Sequence, residues 1–266
     1  MDMRIVVLAA CGLLLTGCAG GSTSTNAPTD ASTAVPVVAA PSPTNGWCAD
    51  PELNDKQVTF ASQGGYLAAY LLGDARAKVA LVVAPQSGAD ACSWLEWAKR
   101  QAAVGYRVLA FDFSGEGRSV RGITGTFTAS GDVEAAAAYV REQGAVGVVL
   151  VGASRGGTAV LVAAARLTPP AAGVVSVSGV AEYMHESAVQ AAPRLTVPVL
   201  FLVAADDSRA ADDARTMYDA TPGGRRTLSV VPGRGHGRAL LTVGADGSAE
   251  ASAAIAAFLT ANAKPA

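Results

Sequence analysis

A single serine stands between two glycines at the end of an apolar run, in the segment VGASRGGTAV. Gly152 and Gly156 lie two positions before and two positions after Ser154. A serine hydroxyl becomes an effective nucleophile only when an adjacent base takes its proton. Because the chain contains 29 glycines, the pattern alone has little weight. Its surroundings must decide between a nucleophile and a turn of small residues.

Histidine is the residue type that most often serves as such a base, and the chain has two histidines. His236 lies in the glycine-rich segment PGRGHGRAL, whereas His185 lies in AEYMHES. A carboxylate can orient the imidazole, and Asp206 and Asp207 directly follow the apolar segment PVLFLVAA. The residue types required for acyl transfer through a serine are therefore all present.

These side chains are positioned by alternating apolar and amphipathic segments, from residue 79 onward. Runs such as VALVVA and VGVVLV are apolar without alternation, as in parallel strands covered on both faces. We therefore predict an α/β fold, a doubly wound and mostly parallel sheet with helices on both faces and an antiparallel N-terminal hairpin at its edge. The predicted strands are Gln57–Ser62, Tyr66–Leu72, Val79–Ala84, Arg107–Phe111, Val146–Val151, Gly173–Ser178, Val199–Val203 and Thr227–Val231. The predicted helices lie near 91–104, 131–143 (with Ser130 as N-cap), 156–166, 209–220 and 249–262.

The N-terminus, MDMRIVVLAACGLLLTGCAG, has one basic residue and then an apolar stretch too short to cross a bilayer. This pattern is typical of a secretory signal peptide. The segment Leu15-Thr16-Gly17-Cys18 resembles the lipobox of bacterial lipoproteins, which implies cleavage before Cys18 and acylation of that residue. The alternative is an ordinary signal peptide that contains a cysteine. The lipobox predicts a protein of the bacterial cell envelope that is bound to a membrane through its lipidated N-terminus.

Composition divides the chain into three parts: a signal peptide at 1–17, a flexible Ser/Thr/Pro/Ala tether at 18–47, and one domain at 48–266. In an exported protein disulfides persist, so we expect Cys48 and Cys92 to pair, the alternative being two separate buried thiols. The net charge of −2 and the absence of a basic patch give no indication of nucleic-acid binding. The cysteine and histidine spacings match no metal site, and no organic cofactor is implied.

Three landmarks in chain order resemble the α/β-hydrolase superfamily over about residues 56 to 262. They are AFDFSGEGRS after one strand, VGASRGG after the next helix and strand, and GRGHG after the last strand. The second landmark has the strand-turn-helix context of a nucleophile elbow. There the tight turn leaves no room for a β-carbon at Gly152 or Gly156.

The resemblance implies a catalytic order of serine, acid and histidine. It makes Ser154 the nucleophile, His236 the general base and Asp207 the acid, with Asp206 as the alternative acid. Asp112 and Asp132 precede the serine in the chain, and we assign them structural roles. His185 precedes the acid candidates and suits a pocket wall or the surface.

An oxyanion hole is implied too, formed by the backbone N–H groups of Arg155 and Gln86, with Ser87 as the alternative to Gln86. Relatives commonly have His-Gly at the second position, whereas this chain has Ala84-Pro85. The segment from Gly179 to Pro198 is too short for a cap domain, so we expect an open site. Trp94, Trp97, Tyr183 and Met184 are candidates for its walls or for core packing.

The resulting expectation is a monomeric serine hydrolase that cleaves carboxylic esters or related small acyl compounds. A peptidase or an acyltransferase would use the same three residues. A catalytically silent lipoprotein that only binds ligands on a hydrolase scaffold is the alternative of a different class.

Overall fold

The computed structural model describes residues 38–123 and 125–265. An eight-stranded sheet in the order β1-β2-β4-β3-β5-β6-β9-β10 forms its centre. Its strands are β1 (Gln57–Ser62), β2 (Gly65–Leu72), β3 (Val79–Ala84), β4 (Arg107–Phe111), β5 (Gly147–Ala153), β6 (Gly173–Val177), β9 (Val199–Ala204) and β10 (Arg226–Val231). A separate two-stranded hairpin consists of β7 (Glu182–Tyr183) and β8 (Glu186–Ser187).

Within the sheet, β4, β3, β5, β6, β9 and β10 are parallel to one another. In contrast, β2 pairs antiparallel with both β1 and β4. The predicted fold class is therefore confirmed, including the N-terminal hairpin at the sheet edge. Apolar runs without alternation form the central strands because each lies between two helical layers. Every residue of β4, β6 and β9 is buried.

Helices cover both faces of the sheet. They are α1 (Leu95–Ala103), α2 (Ala129–Glu142), α3 (Arg155–Ala164), α4 (Ala188–Ala191), α5 (Ser208–Ala220) and α6 (Ser248–Asn262). Val133 of α2, Leu161 of α3 and Met217 of α5 belong to the core on one face. Trp97 of α1 and Phe258 of α6 belong to the core on the other face. The doubly wound arrangement thus follows from the alternation of strand and helix along the chain.

The first turn of α2 differs from the prediction. Thr128, not Ser130, is the N-cap, and its side chain accepts a hydrogen bond from the Gly131 N–H at 3.1 Å. Ser130 is buried, and its N–H donates to Glu186 Oε1 at 2.9 Å. The hydroxyls of Thr128 and Ser130 are both suitable N-cap acceptors, and the sequence pattern does not discriminate between them.

The two early aspartates, Asp112 and Asp132, hold loops together. Asp112 is fully buried and accepts hydrogen bonds from the N–H groups of Ala91 and Arg118, both at 2.7 Å. Burial raises its pKa to about 6, although these two hydrogen bonds act in the opposite direction. Asp132 accepts from the hydroxyls of Ser62 and Ser114, among other donors. Both aspartates accept hydrogen bonds from N–H groups of the loop that follows β4, as expected of structural residues.

The N-terminal boundary of the packed chain lies before the predicted position at Cys48. Thr44 N–H donates to Gln57 Oε1 at 3.0 Å, and Trp47 stacks on Tyr70 with ring centroids 4.5 Å apart. Composition predicted that these residues belong to the tether, but the ring of Trp47 packs against the buried Tyr70. The predicted signal peptide, Cys18 and the tether up to residue 37 lie outside the described residues.

Cys48 and Cys92 form a disulfide in the structure, as expected. The bond links the segment before β1 to the 3₁₀ turn Ala91–Trp94 that leads into α1. Among the described residues, no helix is long and apolar enough to cross a membrane. No group of three or more His, Cys, Asp or Glu side chains suitable for a metal ion occurs in the same part of the chain.

Candidate active site

Ser154 lies at the sharp turn between β5 and α3. Its backbone has φ 50° and ψ −116°, a positive φ that is unfavourable for a residue with a side chain. The Ser154 N–H donates to Val177 O at the end of the adjacent β6, which holds the turn in place. The side chain is partly exposed, whereas its neighbours in the chain are buried. The turn therefore presents one hydroxyl above the carboxyl edge of the sheet.

The flanking glycines are required by close backbone contacts. A β-carbon on Gly152 would lie 2.1 Å from Gly156 O, and one on Gly156 would lie 2.3 Å from Ala84 O. Both distances are shorter than real β-carbon contacts. The predicted steric reason for glycine on each side of Ser154 is thus observed, and it brings α3 directly against the end of β3.

His236 lies in the loop after β10, and its imidazole contacts Ser154. The distance from His236 Nε2 to Ser154 Oγ is 2.8 Å. On the other side of the ring, His236 Nδ1 lies 2.7 Å from Asp207 Oδ2. With the proton on Nδ1, the ring donates to the carboxylate and its Nε2 accepts the serine O–H. Residues 154, 207 and 236, far apart in the sequence, form one hydrogen-bonded chain.

Asp207 and Asp206 have different environments, although they are adjacent. The side chain of Asp207 is only 15 % exposed and faces the histidine. Asp206 is exposed, and its N–H donates to Gly233 O in the loop that carries the histidine. The imidazole is thus held by Asp207, and the structure does not bring the alternative acid into the hydrogen-bonded chain.

The histidine loop is fixed by the side chain of Gln86, a residue predicted to act through its backbone N–H. Gln86 Oε1 accepts a hydrogen bond from the Arg238 N–H at 3.0 Å. The same oxygen would lie 2.5 Å from a β-carbon at Gly237, a residue with φ +58°. The Gln86 amide therefore joins the loop after β3 to the loop after β10. No sequence signal indicates this contact, because the two segments are about 150 residues apart.

The two predicted oxyanion donors lie at the same edge of the sheet. Arg155 is the first residue of α3, so its N–H has no acceptor within the helix. Ala84 pairs with Gly152 in the parallel ladder. Gln86 and Ser154 each come two residues after this pair, beyond the carboxyl ends of the two strands. Within the described residues, the Gln86 N–H has no hydrogen-bond acceptor.

Comparison with known proteins agrees with this architecture. Residues 80–193 match the model of a family described as the alpha/beta hydrolase fold. This matched segment is similar to the α/β-hydrolase superfamily. No curated protein matches the sequence.

Solved structures with the same fold share little sequence with this chain. A thermophilic esterase from Thermogutta terrifontis has a TM-score of 0.63 and 16% identity, over 77% of this chain and 98% of the esterase. An esterase from Pyrococcus furiosus has a TM-score of 0.63 and 12% identity, over 77% and 90% of the two chains. A dienelactone hydrolase from Anabaena variabilis has a TM-score of 0.64 and 18% identity, over 77% and 96%. At these identities the similarity establishes the fold.

The hydrolase fold carries only a short insertion after β6. Residues 178–198 contain the β7–β8 hairpin and α4 and no larger element. Tyr183 of this hairpin is partly exposed, and its OH lies 2.9 Å from Ser87 Oγ in the loop after β3. Met184 and His185, at the tip of the hairpin, are exposed. In contrast, Trp94 and Trp97 are buried core residues.

A bidentate ion pair lies next to the nucleophile. The buried Arg155 side chain binds both carboxylate oxygens of Glu116, with a distance of 2.7 Å from Nη2 to Oε2. Its guanidinium also lies 4.2 Å from the ring centroid of Phe113. Glu116 and Phe113 belong to the loop after β4, so this pair fixes that loop against the start of α3. Both segments contain landmarks of the sequence, but no sequence signal indicates their contact.

Proposed function

We propose that this protein is a serine hydrolase that cleaves carboxylic esters of small acyl compounds through an acyl-enzyme intermediate. One observation carries the proposal: Ser154, His236 and Asp207 form a continuous hydrogen-bonded chain whose outer end is an accessible hydroxyl. In this geometry a serine can lose its proton at the moment of attack, because the base is already within hydrogen-bond reach.

In the first step, Ser154 Oγ attacks the ester carbonyl carbon while its proton passes to His236 Nε2. The carbonyl oxygen becomes an oxyanion, and the imidazolium that forms is stabilised and oriented by Asp207. When the tetrahedral intermediate collapses, the carbon–oxygen bond to the alcohol breaks and His236 returns the proton to the departing alcohol. The acyl group is then bound to Ser154 as an ester.

In the second step, water replaces the alcohol. His236 takes a proton from water as it attacks the acyl carbon, and a second oxyanion forms. Its collapse breaks the bond to Ser154 Oγ, the serine regains its proton from His236, and the carboxylic acid leaves. The two steps together consume one ester and one water and release one acid and one alcohol.

The negative charge on the oxyanion requires hydrogen-bond donors that are already in place. We assign this role to the N–H groups of Arg155 and Gln86, which follow the carboxyl ends of the neighbouring strands β5 and β3. The position of Arg155 at the N-terminus of α3 adds the favourable end of the helix dipole. The Gln86 side chain, bonded to the histidine loop, keeps both parts of the site in register.

Esters are favoured over other acyl compounds by the similar solved structures, two of which are esterases, and by the open site. The imidazole of His236 is 44 % exposed, and the insertion after β6 is too short to cover it. A peptidase or an acyltransferase would use the same residues, and a binding protein would need none of them.

The test is hydrolysis of short 4-nitrophenyl esters by the wild type and by Ser154→Ala and His236→Ala. We expect turnover by the wild type and a loss of at least about 10³-fold in kcat for each variant. Arg209→Ala, an exposed change on α5, is the matched control and should retain full activity. A panel of amide substrates and alcohol acceptors separates the ester hydrolase from a peptidase or a transferase. Equal rates for Ser154→Ala and wild type would refute the assignment.

The proposed location is the bacterial cell envelope, with the domain attached to a membrane through an acylated Cys18. The lipobox-like segment supports this proposal. In an expressing bacterium, the wild type should partition into the detergent phase of a Triton X-114 extract. Cys18→Ala should remain in the aqueous phase or unprocessed, and a soluble wild-type protein would contradict the proposal.

A further inference from the structure

A cavity of about 420 Å³ lies beside the residue that follows the nucleophile. It is formed by the loop after β4, the start of α2 and the β7–β8 hairpin, and Arg155 is part of its wall. Its volume is in the range of small-molecule sites. The residues of the wall that carry a carboxylate, a guanidinium or an imidazole are Glu116, Arg121, Asp132, Arg155, His185 and Glu186.

The three carboxylates of this wall are already engaged by protein donors. Glu116 is bound bidentately by Arg155. Asp132 is buried and accepts hydrogen bonds from serine and glutamine side chains and from a backbone N–H. Glu186 is also buried, and its Oε1 accepts from the Ser130 N–H. Arg155 therefore neutralises Glu116, whereas Asp132 and Glu186 are buried and accept hydrogen bonds from uncharged donors.

Arg121 differs from Arg155 because no carboxylate neutralises it. Among the described residues, no acidic oxygen lies within ion-pair distance of its guanidinium. Arg121 is an exposed residue, and two contacts orient its guanidinium. The guanidinium lies 5.2 Å from the ring centroid of Phe127, and Nη2 makes a long contact of 3.4 Å to Ser114 O. The remaining N–H donors of this side chain are available to a ligand in the cavity.

The surroundings of Arg121 favour an acid with an apolar body. The rings of Phe127 and Tyr183 and the side chain of Met184 line the same cavity, together with the hydroxyls of Thr126 and Thr128. A planar guanidinium that rests on an aromatic ring is well suited to bind a carboxylate through two parallel hydrogen bonds. The rest of the cavity offers apolar surface to a short hydrocarbon chain or ring.

We propose that the natural substrates are esters that carry a free carboxylate, and that Arg121 binds this carboxylate in the cavity while Ser154 attacks the ester. The inference rests on the proposed function, since it assigns a substrate class to the same site. Arg121 is a specificity residue in this account and takes no part in proton transfer. Neutral esters remain substrates but lack one ion pair.

The test compares esters of matched length that differ in one carboxylate. Monoethyl adipate and ethyl hexanoate place the difference on the acyl side, and 4-carboxyphenyl butanoate and phenyl butanoate place it on the alcohol side. For at least one pair, we expect Arg121→Gln to lower kcat/KM for the anionic ester about fivefold while the neutral ester changes little. Arg121→Lys should retain part of the preference, because it keeps the charge but not the planar fork.

Arg118→Gln is the matched control, since Arg118 lies in the same loop but over Trp47, outside the cavity. It removes the same charge and should leave the anionic preference unchanged. A measurement without any variant is inhibition of phenyl butanoate hydrolysis by adipate, which should weaken as NaCl is raised.

The inference is overturned if wild type prefers the neutral ester in both pairs, or if Arg121→Gln leaves both preferences unaltered. It is equally overturned if Arg118→Gln abolishes the preference as fully as Arg121→Gln, because a diffuse charge effect then explains it. A wild type that hydrolyses none of the four esters is a separate result, which contradicts the proposed function itself.

Discussion

At the scale of single residues, the site depends on which of two similar side chains is oriented toward its partner. Asp206 and Asp207 are adjacent, yet only Asp207 reaches the imidazole. Strand β9 ends at Ala204, and Asp207 is the N-terminal flanking residue of α5, so the turn between them directs the two carboxylates differently. The family spacing favoured Asp207. Sequence alone could not exclude Asp206, because Asp206 and Asp207 are adjacent and have the same side chain.

Replacing Asp207 by Asn should lower kcat/KM for ester hydrolysis about 10³- to 10⁴-fold. The amide can present its NH2 donor to His236 Nδ1, which favours the wrong tautomer of the ring, and it carries no negative charge to stabilise the imidazolium. Steady-state kinetics on a 4-nitrophenyl ester measure the effect. Asp206→Asn is the matched control and should remain within about twofold of wild type. Comparable losses in the two variants would contradict the assigned acid.

Other residue-scale contacts have no sequence signature. The Gln86 amide that holds the histidine loop and the Arg155–Glu116 pair join segments that only the fold brings together. Their residue types are common in solvated loops, so composition does not identify them. Ser154 is different, because the glycines around it have a local steric cause that can be inferred from the sequence.

At the scale of elements, strands and helices were predictable because each has its own hydrophobic period. All eight predicted strands are present, with bounds that differ by two residues or fewer. The β7–β8 hairpin was missed because its strands have only two residues each, too few to show a period. Trp47 was predicted to lie in the tether because its neighbours are rich in Ser, Thr and Pro. Its stacking on Tyr70 depends on the fold and is not visible in the local composition.

The elbow between β5 and α3 provides the test at this scale. Gly156→Ala should lower the free energy of unfolding by at least about 2 kcal/mol, because its β-carbon would overlap Ala84 O, a backbone atom that cannot move alone. Urea unfolding followed by circular dichroism measures the change. Gly223→Ala is the control, since a β-carbon there has no neighbour within 4 Å. An elbow variant as stable as this control would show that the close packing is not required.

At the scale of the whole molecule, the disulfide joins the N-terminal segment to the domain that carries the site. Cys48 and Cys92 are separated by 44 residues in the sequence, and the closed loop includes β1, β2 and β3. The exported location inferred from the N-terminus predicted the pairing. Spacing alone could not establish it, because it does not give the distance between the two α-carbons, which is 5.2 Å.

Removing this cross-link should destabilise the domain without altering the chemistry. For a loop of this length, we expect Cys48→Ser/Cys92→Ser to lower the free energy of unfolding by about 3–4 kcal/mol, while kcat at 25 °C remains near that of wild type. Urea unfolding and ester hydrolysis measure the two quantities. Thiol titration of the unreduced, unfolded wild type should find neither cysteine free. A wild type with both thiols reactive would contradict the bond.

The most direct test of the account is labelling by a fluorophosphonate, which reacts only with a serine whose hydroxyl is activated by a base. We predict one phosphonylated site in the wild type, located at Ser154 by mass spectrometry. Labelling should disappear in Ser154→Ala and be strongly reduced in His236→Ala. A folded wild type that resists the reagent, or a label retained on Ser154→Ala, would contradict a catalytic Ser154.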